Sequence, residues 1–119
     1  MVLGAMSLLA LAACGITTGT ANSAAEAEGA LQEIKDSGKL VVGTCADYPP
    51  YEWHLVQDGE DKIIGFDIDI AQAIADELGV ELEVKDMDFD GLIPALSTGK
   101  IDMIIAGMNP TVERVMTTW

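Results

Sequence analysis

The only arginine of this chain lies in a short stretch, GMNPTVER, whose residue types suit the binding of an anion. Arg114 is the single arginine among six basic residues, and the stretch begins at Gly107 and passes through Asn109. A Gly/Asn/Pro break followed by Thr111 is typical of a helix start, where N–H groups and the helix dipole attract negative charge. A guanidinium can hold a carboxylate with two parallel hydrogen bonds. The stretch indicates a carboxylate clamp, with a surface ion pair to Glu113 as the alternative.

A second set of residues could form the walls of a small-molecule site. Four of the six aromatic residues fall in two short segments that follow apolar runs: Tyr48, Tyr51, Trp53 and Phe89. Aromatic walls with a few polar groups are typical of ligand pockets. Tyr48 precedes two prolines on an expected loop, which favours a pocket position, whereas Tyr51 and Trp53 could equally be partly core residues.

Alternating strands and helices are predicted to position these residues. Apolar or alternating runs predict strands at 39–44, 80–87 and 102–107. A stripe of apolar residues four apart predicts a helix that Asp67 caps and Gly79 ends. Shorter helices are predicted after Asp90, which is a candidate cap, and after Asn109 or Thr111. A hairpin with its turn at Asp58-Gly59 is predicted between the first strand and the first of these helices.

This β-α-β-α-β-α order predicts an α/β fold with a mainly parallel, doubly wound sheet and flanking helices. In such sheets a ligand binds beyond the carboxyl ends of the strands. That rule selects residues 45–53, 86–91 and 106–114, which contain the arginine and the aromatic residues named above. The chain of 119 residues allows one small domain at most.

The N-terminal 14 residues read as a targeting segment. An apolar run too short to span a bilayer ends in Leu-Ala-Ala-Cys, which resembles a bacterial lipobox with Cys14 as the lipidated residue. No lysine or arginine precedes the run, so we expect the true start to lie upstream. Residues 15–38 are predicted to be a flexible tether with a short helix from Ala30 to Ser37. We therefore expect an exported protein that a lipid anchors to the cell membrane, or a periplasmic one.

Composition excludes several classes of partner. The formal net charge of −14 argues against nucleic acid and against docking on anionic lipid. With Cys14 assigned to lipidation, Cys45 is left alone, and a disulfide framework within the chain is not expected.

From Lys39 to Arg114 the sequence resembles the first lobe of the bacterial extracellular solute-binding proteins of family 3. The segments that carry the resemblance are VVGTCADYPPYEW, IIGFDIDIAQAIADELGV and VKDMDFDGLIPALSTGKIDMIIAGMNPTVER. These proteins capture amino acids for ABC importers, so the resemblance implies a periplasmic-binding-protein-like fold, an amino-acid ligand, a permease partner and no cofactor.

The resemblance also implies a site. Tyr48 and Phe89 would sandwich the ligand, Gly107 and Asn109 would contribute polar contacts, and Arg114 would bind the α-carboxylate. Asp47, Tyr51 and Met108 are further candidates beside them.

The chain departs from the family pattern at three points. Cys45 stands where many members have an aspartate that helps hold a cationic side chain, although Asp47 is close enough to substitute. Asn109 replaces a common serine or threonine. The sequence stops near Trp119, so we expect a fragment or truncated product with a partial first lobe at 39–119 and without the second lobe, and hence weak binding.

Two other functions remain open on the sequence. The segment Asp86 to Gly91 matches the opening of an EF-hand calcium loop, but Ser97 stands where the bidentate glutamate belongs. A secreted dehydratase or cell-wall lyase could share the fold. We predict no enzyme, because Asp88 and Asp90 are the only plausible acid/base pair and His54 lacks an obvious acidic or nucleophilic partner.

Overall fold

The computed structural model describes residues 20–118, with side chains described for residues 28–115. Its helices are α1 (Thr20–Ser37), α2 (Phe66–Leu78), α3 (Leu92–Ser97) and α4 (Val112–Thr118). Its strands are β1 (Lys39–Thr44), β2 (Asp47–Tyr48), β3 (Glu52–Gln57), β4 (Glu60–Ile64), β5 (Glu81–Asp86) and β6 (Met103–Ile104). The lipobox with Cys14, residues 15–19 of the expected tether, and Trp119 lie outside the described residues.

A parallel three-stranded sheet, in the order β5-β1-β6, forms the centre of the fold. Its middle strand is the predicted apolar run, and side chains alternate between its two faces. Leu40 and Val42 pack against Ala71 and Ala75 of α2 on one face. On the opposite face Gly43 lies against side chains of the α3 region, where an added Cβ would collide with Ile101. The predicted parallel α/β arrangement is confirmed.

The hairpin between β1 and α2 is part of a second sheet. Strands β2, β3 and β4 are antiparallel, in that order, and the predicted turn at Asp58-Gly59 joins β3 to β4. The two-residue strand β2 was not foreseen, because two residues carry no detectable alternation. Trp53 lies in β3, opposite Asp47 and Ile64, where it is half-buried.

Helix α1 begins ten residues earlier than predicted, at Thr20 rather than Ala30. Its N-terminal half contains four alanines between Ala21 and Ala27, and alanine has the highest helix propensity of any residue. Only the C-terminal end of the described part reaches the core, where Ile34 packs against the cluster on β1 and α2.

Two predicted caps were wrong. Helix α2 begins at Phe66, before Asp67, and neither α2 nor α3 has a side-chain cap hydrogen bond. Asp67 points instead into the protein, as described below, and Asp90 lies in a short 3-10 helix, Phe89–Gly91, that precedes α3. The predicted stop at Gly79 is confirmed, because Gly79 adopts the left-handed conformation with φ of 70°.

Truncation of Leu40 to alanine tests whether β1 carries the core. Leu40 is fully buried, so Leu40→Ala should lower the free energy of unfolding by about 2–5 kcal/mol through lost burial and a cavity. Leu55→Ala in β3 is the matched control. Leu55 is 39% exposed, so its truncation should lower the free energy of unfolding far less. Urea denaturation measures both, and equal losses would contradict this description of the core.

Candidate functional site

Three adjoining clefts open where the strands of the parallel sheet end. Their volumes are about 490, 390 and 270 Å³. We call them the arginine cleft (with Arg114 and Phe89), the tyrosine cleft (with Tyr48 and Tyr51) and the acidic cleft (with Asp47 and Glu52). Phe89 lines the arginine and acidic clefts, and Tyr48 lines the tyrosine and acidic clefts.

The structure brings all the residues of the predicted ligand site to these clefts. Besides the residues that define the clefts, Gly107 lines two of them, Met108 lines two, and Asn109 lines the tyrosine cleft. They meet because β1, β5 and β6 run parallel and end at the same edge of the sheet.

Arg114 lies in the first turn of α4 with its guanidinium over the face of Phe89. The distance from its central carbon to the ring centroid is 5.1 Å, within the range of a cation–π contact. Its Nη1 donates a hydrogen bond of 2.8 Å to the backbone carbonyl of Asn109. Glu113 lines the same cleft, so Glu113 and a ligand carboxylate are alternative partners for the guanidinium.

The start of α4 contributes less to anion binding than the sequence suggested. The sequence left Asn109 and Thr111 as alternative caps, and the structure selects Thr111, whose hydroxyl accepts a hydrogen bond of 3.2 Å from the Arg114 N–H. That N–H group is therefore already used. The attraction for a carboxylate therefore lies mainly with the guanidinium.

The aromatic wall of the tyrosine cleft is a stacked pair. The ring centroids of Tyr48 and Tyr51 are 5.2 Å apart at an interplanar angle of 22°. Tyr48 is 53% exposed, so one face of the pair is open to a ligand. Trp53 does not line any of the three clefts.

Gly107 allows a close approach between the third loop and Tyr48. Its φ of +56° is a conformation that side chains disfavour, and a Cβ there would lie 3.0 Å from Cδ1 of Tyr48. Its N–H donates a hydrogen bond of 2.7 Å to Oδ2 of the buried Asp67. The carboxylate that was predicted to cap α2 therefore fixes the turn beside the ligand cleft.

Glu52 belongs to the site and was missed on the sequence. Its side chain is 1% exposed at the base of the acidic cleft. Burial, followed by the nearby Asp67, raises the pKa of Glu52 to about 7. Its place in the aromatic run CADYPPYEW could have drawn attention to it, but only the pairing of β3 with β2 turns this side chain inward.

His54 bridges two carboxylates, contrary to the prediction that it lacks an acidic partner. Nδ1 lies 2.9 Å from Asp61 and Nε2 lies 2.8 Å from Asp86. Asp86 also accepts a hydrogen bond of 2.9 Å from the Ala46 N–H, which fixes the loop before Tyr48. Asp86 and Asp61 raise the pKa of His54 through these hydrogen bonds.

The calcium alternative finds no support in the described part of the chain. No group of three or more His, Cys, Asp or Glu side chains there is arranged to hold a metal ion. Asp86, the first residue of the EF-hand-like segment, instead bonds to Ala46 and His54. In the same described part, no helix has both the length and the apolar character needed to cross a membrane.

Comparison with known proteins gives one matching family model. Residues 40–118 match the model described as bacterial extracellular solute-binding proteins, family 3. The match covers both sheets, α2, α3, the three clefts and α4.

Several known proteins are similar to this chain. The arginine-binding extracellular protein ArtP of Bacillus subtilis (strain 168) is 40% identical over 96% of this chain and 38% of its own length. The L-cystine-binding protein TcyJ of Escherichia coli (strain K12) is 32% identical over 94% of this chain and 41% of its own length. The chain thus spans about two fifths of these relatives.

One similar solved structure is the arginine-bound form of domain 1 from TmArgBP. It has 55% sequence identity and a TM-score of 0.65, and the match covers 71% of this chain and 64% of that chain. That structure is of a single domain with arginine bound.

The His54 bridge should make the stability of the protein depend on pH. The pKa of His54 is raised in the folded state, so the stabilisation is complete below the unfolded value near 6.5 and is lost as pH rises through the folded value. Between pH 6 and pH 9, the urea midpoint of the wild type should fall further than that of His54→Gln. Asp58→Asn, in the hairpin turn, should behave as the wild type, and parallel curves for the wild type and His54→Gln would contradict the bridge.

Proposed function

Because this chain belongs to the bacterial extracellular solute-binding proteins of family 3, we propose that it captures a free amino acid for an ABC importer. The observation that carries the proposal is the Arg114 guanidinium over the Phe89 ring, beside a cleft that Tyr48 also lines. The cation suits the carboxylate of an amino acid, and the exposed Tyr48 ring and the half-buried Phe89 ring suit its side chain.

Arg114 binds the α-carboxylate in this proposal. The contacts with the Phe89 ring and the Asn109 carbonyl hold the guanidinium in place before a ligand arrives. Such preorganisation reduces the entropy lost on binding. A guanidinium and a carboxylate then form two parallel charge-assisted hydrogen bonds, which are the strongest polar contacts available in the cleft.

The ligand side chain lies along Tyr48 and Phe89 and reaches the acidic cleft. Asp47 and Glu52 line that cleft and no lysine or arginine does, so a cationic side chain suits it best. This favours an arginine-like ligand despite Cys45, which stands where an aspartate was expected. Asp47, the predicted substitute, lines the acidic cleft, and the relatives named for arginine point the same way.

Cystine is the second candidate ligand, because one relative is named for it. Cystine carries two carboxylates and two ammonium groups, so one end could meet Arg114 and the other the acidic cleft. Competition between L-arginine and L-cystine for the same site separates the two candidates.

The remaining parts of the proposal concern the whole importer. The arginine-bound domain 1 of the relative supports capture by a single lobe, and a second lobe would add contacts and bury the ligand. We further propose that Cys14 carries the lipid anchor, that a permease receives the ligand, and that the protein acts by binding rather than by catalysis. The family is an extracellular one, which agrees with export.

Replacement of Arg114 tests the carboxylate contact. Arg114→Ala should weaken L-arginine binding by about 100-fold, because a charge-assisted hydrogen-bonded pair contributes roughly 3 kcal/mol. Arg114→Lys keeps the charge but loses the two parallel hydrogen bonds of the guanidinium. Its affinity for L-arginine should lie between that of the wild type and that of Arg114→Ala. Lys100→Ala, an exposed cation outside the three clefts, is the control. Unchanged affinity in Arg114→Ala, measured by calorimetry, would remove the proposed site.

Replacement of Gly107 tests the close packing between the third loop and Tyr48. Gly107→Ala places a methyl group against Cδ1 and Cε1 of Tyr48, so the ring must move and L-arginine affinity should fall by about tenfold. Gly59→Ala is a matched control, because Gly59 also has a positive φ but has no atom within 4 Å of the added Cβ. Equal effects of the two changes on affinity would show that backbone strain, and not the Tyr48 contact, is responsible.

A further inference from the structure

Two carboxyl groups approach the same glycine between the acidic and tyrosine clefts, because Glu52 lines the acidic cleft and Asp67 lines the tyrosine cleft. Glu52 of β3 is 1% exposed and Asp67 of α2 is 6% exposed. Both approach Gly107, since Asp67 accepts its N–H at 2.7 Å and Oε1 of Glu52 lies 3.8 Å from where its Cβ would be. Two buried carboxylates at close range repel each other strongly when both are ionised.

Among the residues that the structure describes, no lysine or arginine lies near enough to the pair to offset this repulsion. The titratable groups that surround Glu52 come from two other elements and from the loop after β1, and they are Cys45, Asp47, Tyr48 and Asp67. None of these is positively charged at neutral pH, and Arg114 lines the neighbouring arginine cleft rather than this one. The acidic cleft is therefore short of one positive charge.

A proton on Glu52 supplies that charge in the empty protein. Oε2 of Glu52 is buried and receives no hydrogen bond from any described residue. A protonated Glu52 becomes a donor, and Asp67 is its hydrogen-bond acceptor. The Gly107 N–H donates to Oδ2 of Asp67, and a single proton on Glu52 is enough to join the two carboxyl groups.

We propose that the Glu52–Asp67 pair binds a proton in the empty cleft and releases it when a cationic side chain enters, so that ligand capture is coupled to proton release. The coupling rests on the proposed function, because it requires a cationic ligand at this site. The ligand cation and the proton compete for the same buried negative charge. Proton and ligand balance one for one: the protonated protein and the cation give the complex and a free proton.

This competition predicts how affinity changes with pH. The raised pKa of Glu52, about 7, lies in the neutral range, so the proton is bound at pH 6 and mostly absent at pH 8. L-Arginine affinity should therefore rise about tenfold from pH 6 to pH 8. An ordinary glutamate would have lost its proton well below pH 6 and would give no such change.

Calorimetry can count the protons directly. L-Arginine is titrated into the full chain at pH 6, 7 and 8, in pairs of buffers with different ionisation enthalpies. We expect about one proton released per ligand at pH 6, about half at pH 7 and almost none at pH 8. L-Citrulline, the neutral analogue of arginine, should bind more weakly and release no proton.

Variants separate Glu52 from the other acids. Glu52→Gln should abolish both the proton release and the change of affinity between pH 6 and pH 8, whatever its absolute affinity. Asp67→Asn can still accept the Gly107 N–H through its amide oxygen. It removes the negative charge beside Glu52, so proton release from Glu52 should move to lower pH. Glu77→Gln, which removes an exposed acid from α2, is the matched control and should titrate as the wild type.

The unliganded protein gives an independent readout. Glu52 has a raised pKa in the folded state, so its ionisation destabilises the fold as pH rises from about 4.5 to about 7. Relative to Glu52→Gln, the urea midpoint of the wild type should therefore fall over that range. An unchanged difference between the two proteins would show that no proton is held by Glu52.

The outcomes distinguish this inference from the function on which it rests. L-Arginine binding with constant affinity and no proton release between pH 6 and pH 8 overturns the coupling and leaves the binding function intact. Absence of L-arginine binding at all three pH values overturns both proposals. Proton release that persists in Glu52→Gln assigns the proton to another group and also overturns the inference.

Discussion

The burial of β1 on both faces is the constraint on which the rest of the structure depends. Leu40 and Val42 pack against α2, and the opposite face at Gly43 lies against Leu92 and Ile101. A strand covered on both sides pairs with parallel neighbours, because each connecting helix must return over a face of the sheet. The carboxyl ends of β1, β5 and β6 then share one edge, and all three clefts open there.

Side chains that bind backbone groups convert these strand ends into a defined site. Asp67 holds the N–H of Gly107, Asp86 holds the N–H of Ala46, and Thr111 holds the N–H of Arg114. Each contact fixes a segment that carries a residue lining one of the three clefts. Two acids of this chain, Asp67 and Asp86, thus position loops as well as contributing to its negative charge.

Two carboxylates of the acidic cleft differ in how strongly burial disfavours their negative charge. Asp47 and Glu52 are both carboxylates on the same small sheet, yet Glu52 is buried and Asp47 is exposed. Burial makes an unpaired charge unfavourable, so Glu52 needs either a proton or a cationic ligand. An exposed carboxylate such as Asp47 needs neither, because water solvates its charge. The same water weakens its attraction for cations.

The sequence by itself determined the parallel α/β fold, the C-terminal end of α2 at Gly79 and the turn at Asp58-Gly59, because these follow from local periodicity and turn chemistry. It placed the start of α2 too late and left Asn109 and Thr111 as alternative caps of α4. It also singled out Arg114 and the aromatic residues of the loops. The family motifs determined which of those residues to place together. Only the tertiary structure decided where Asp67, Glu52 and His54 point, because each contacts partners at least seven residues away in the chain. The Gly107 N–H that Asp67 accepts is 40 residues away. Local pattern cannot encode such pairings, because they arise only when the two sheets and α2 pack against one another.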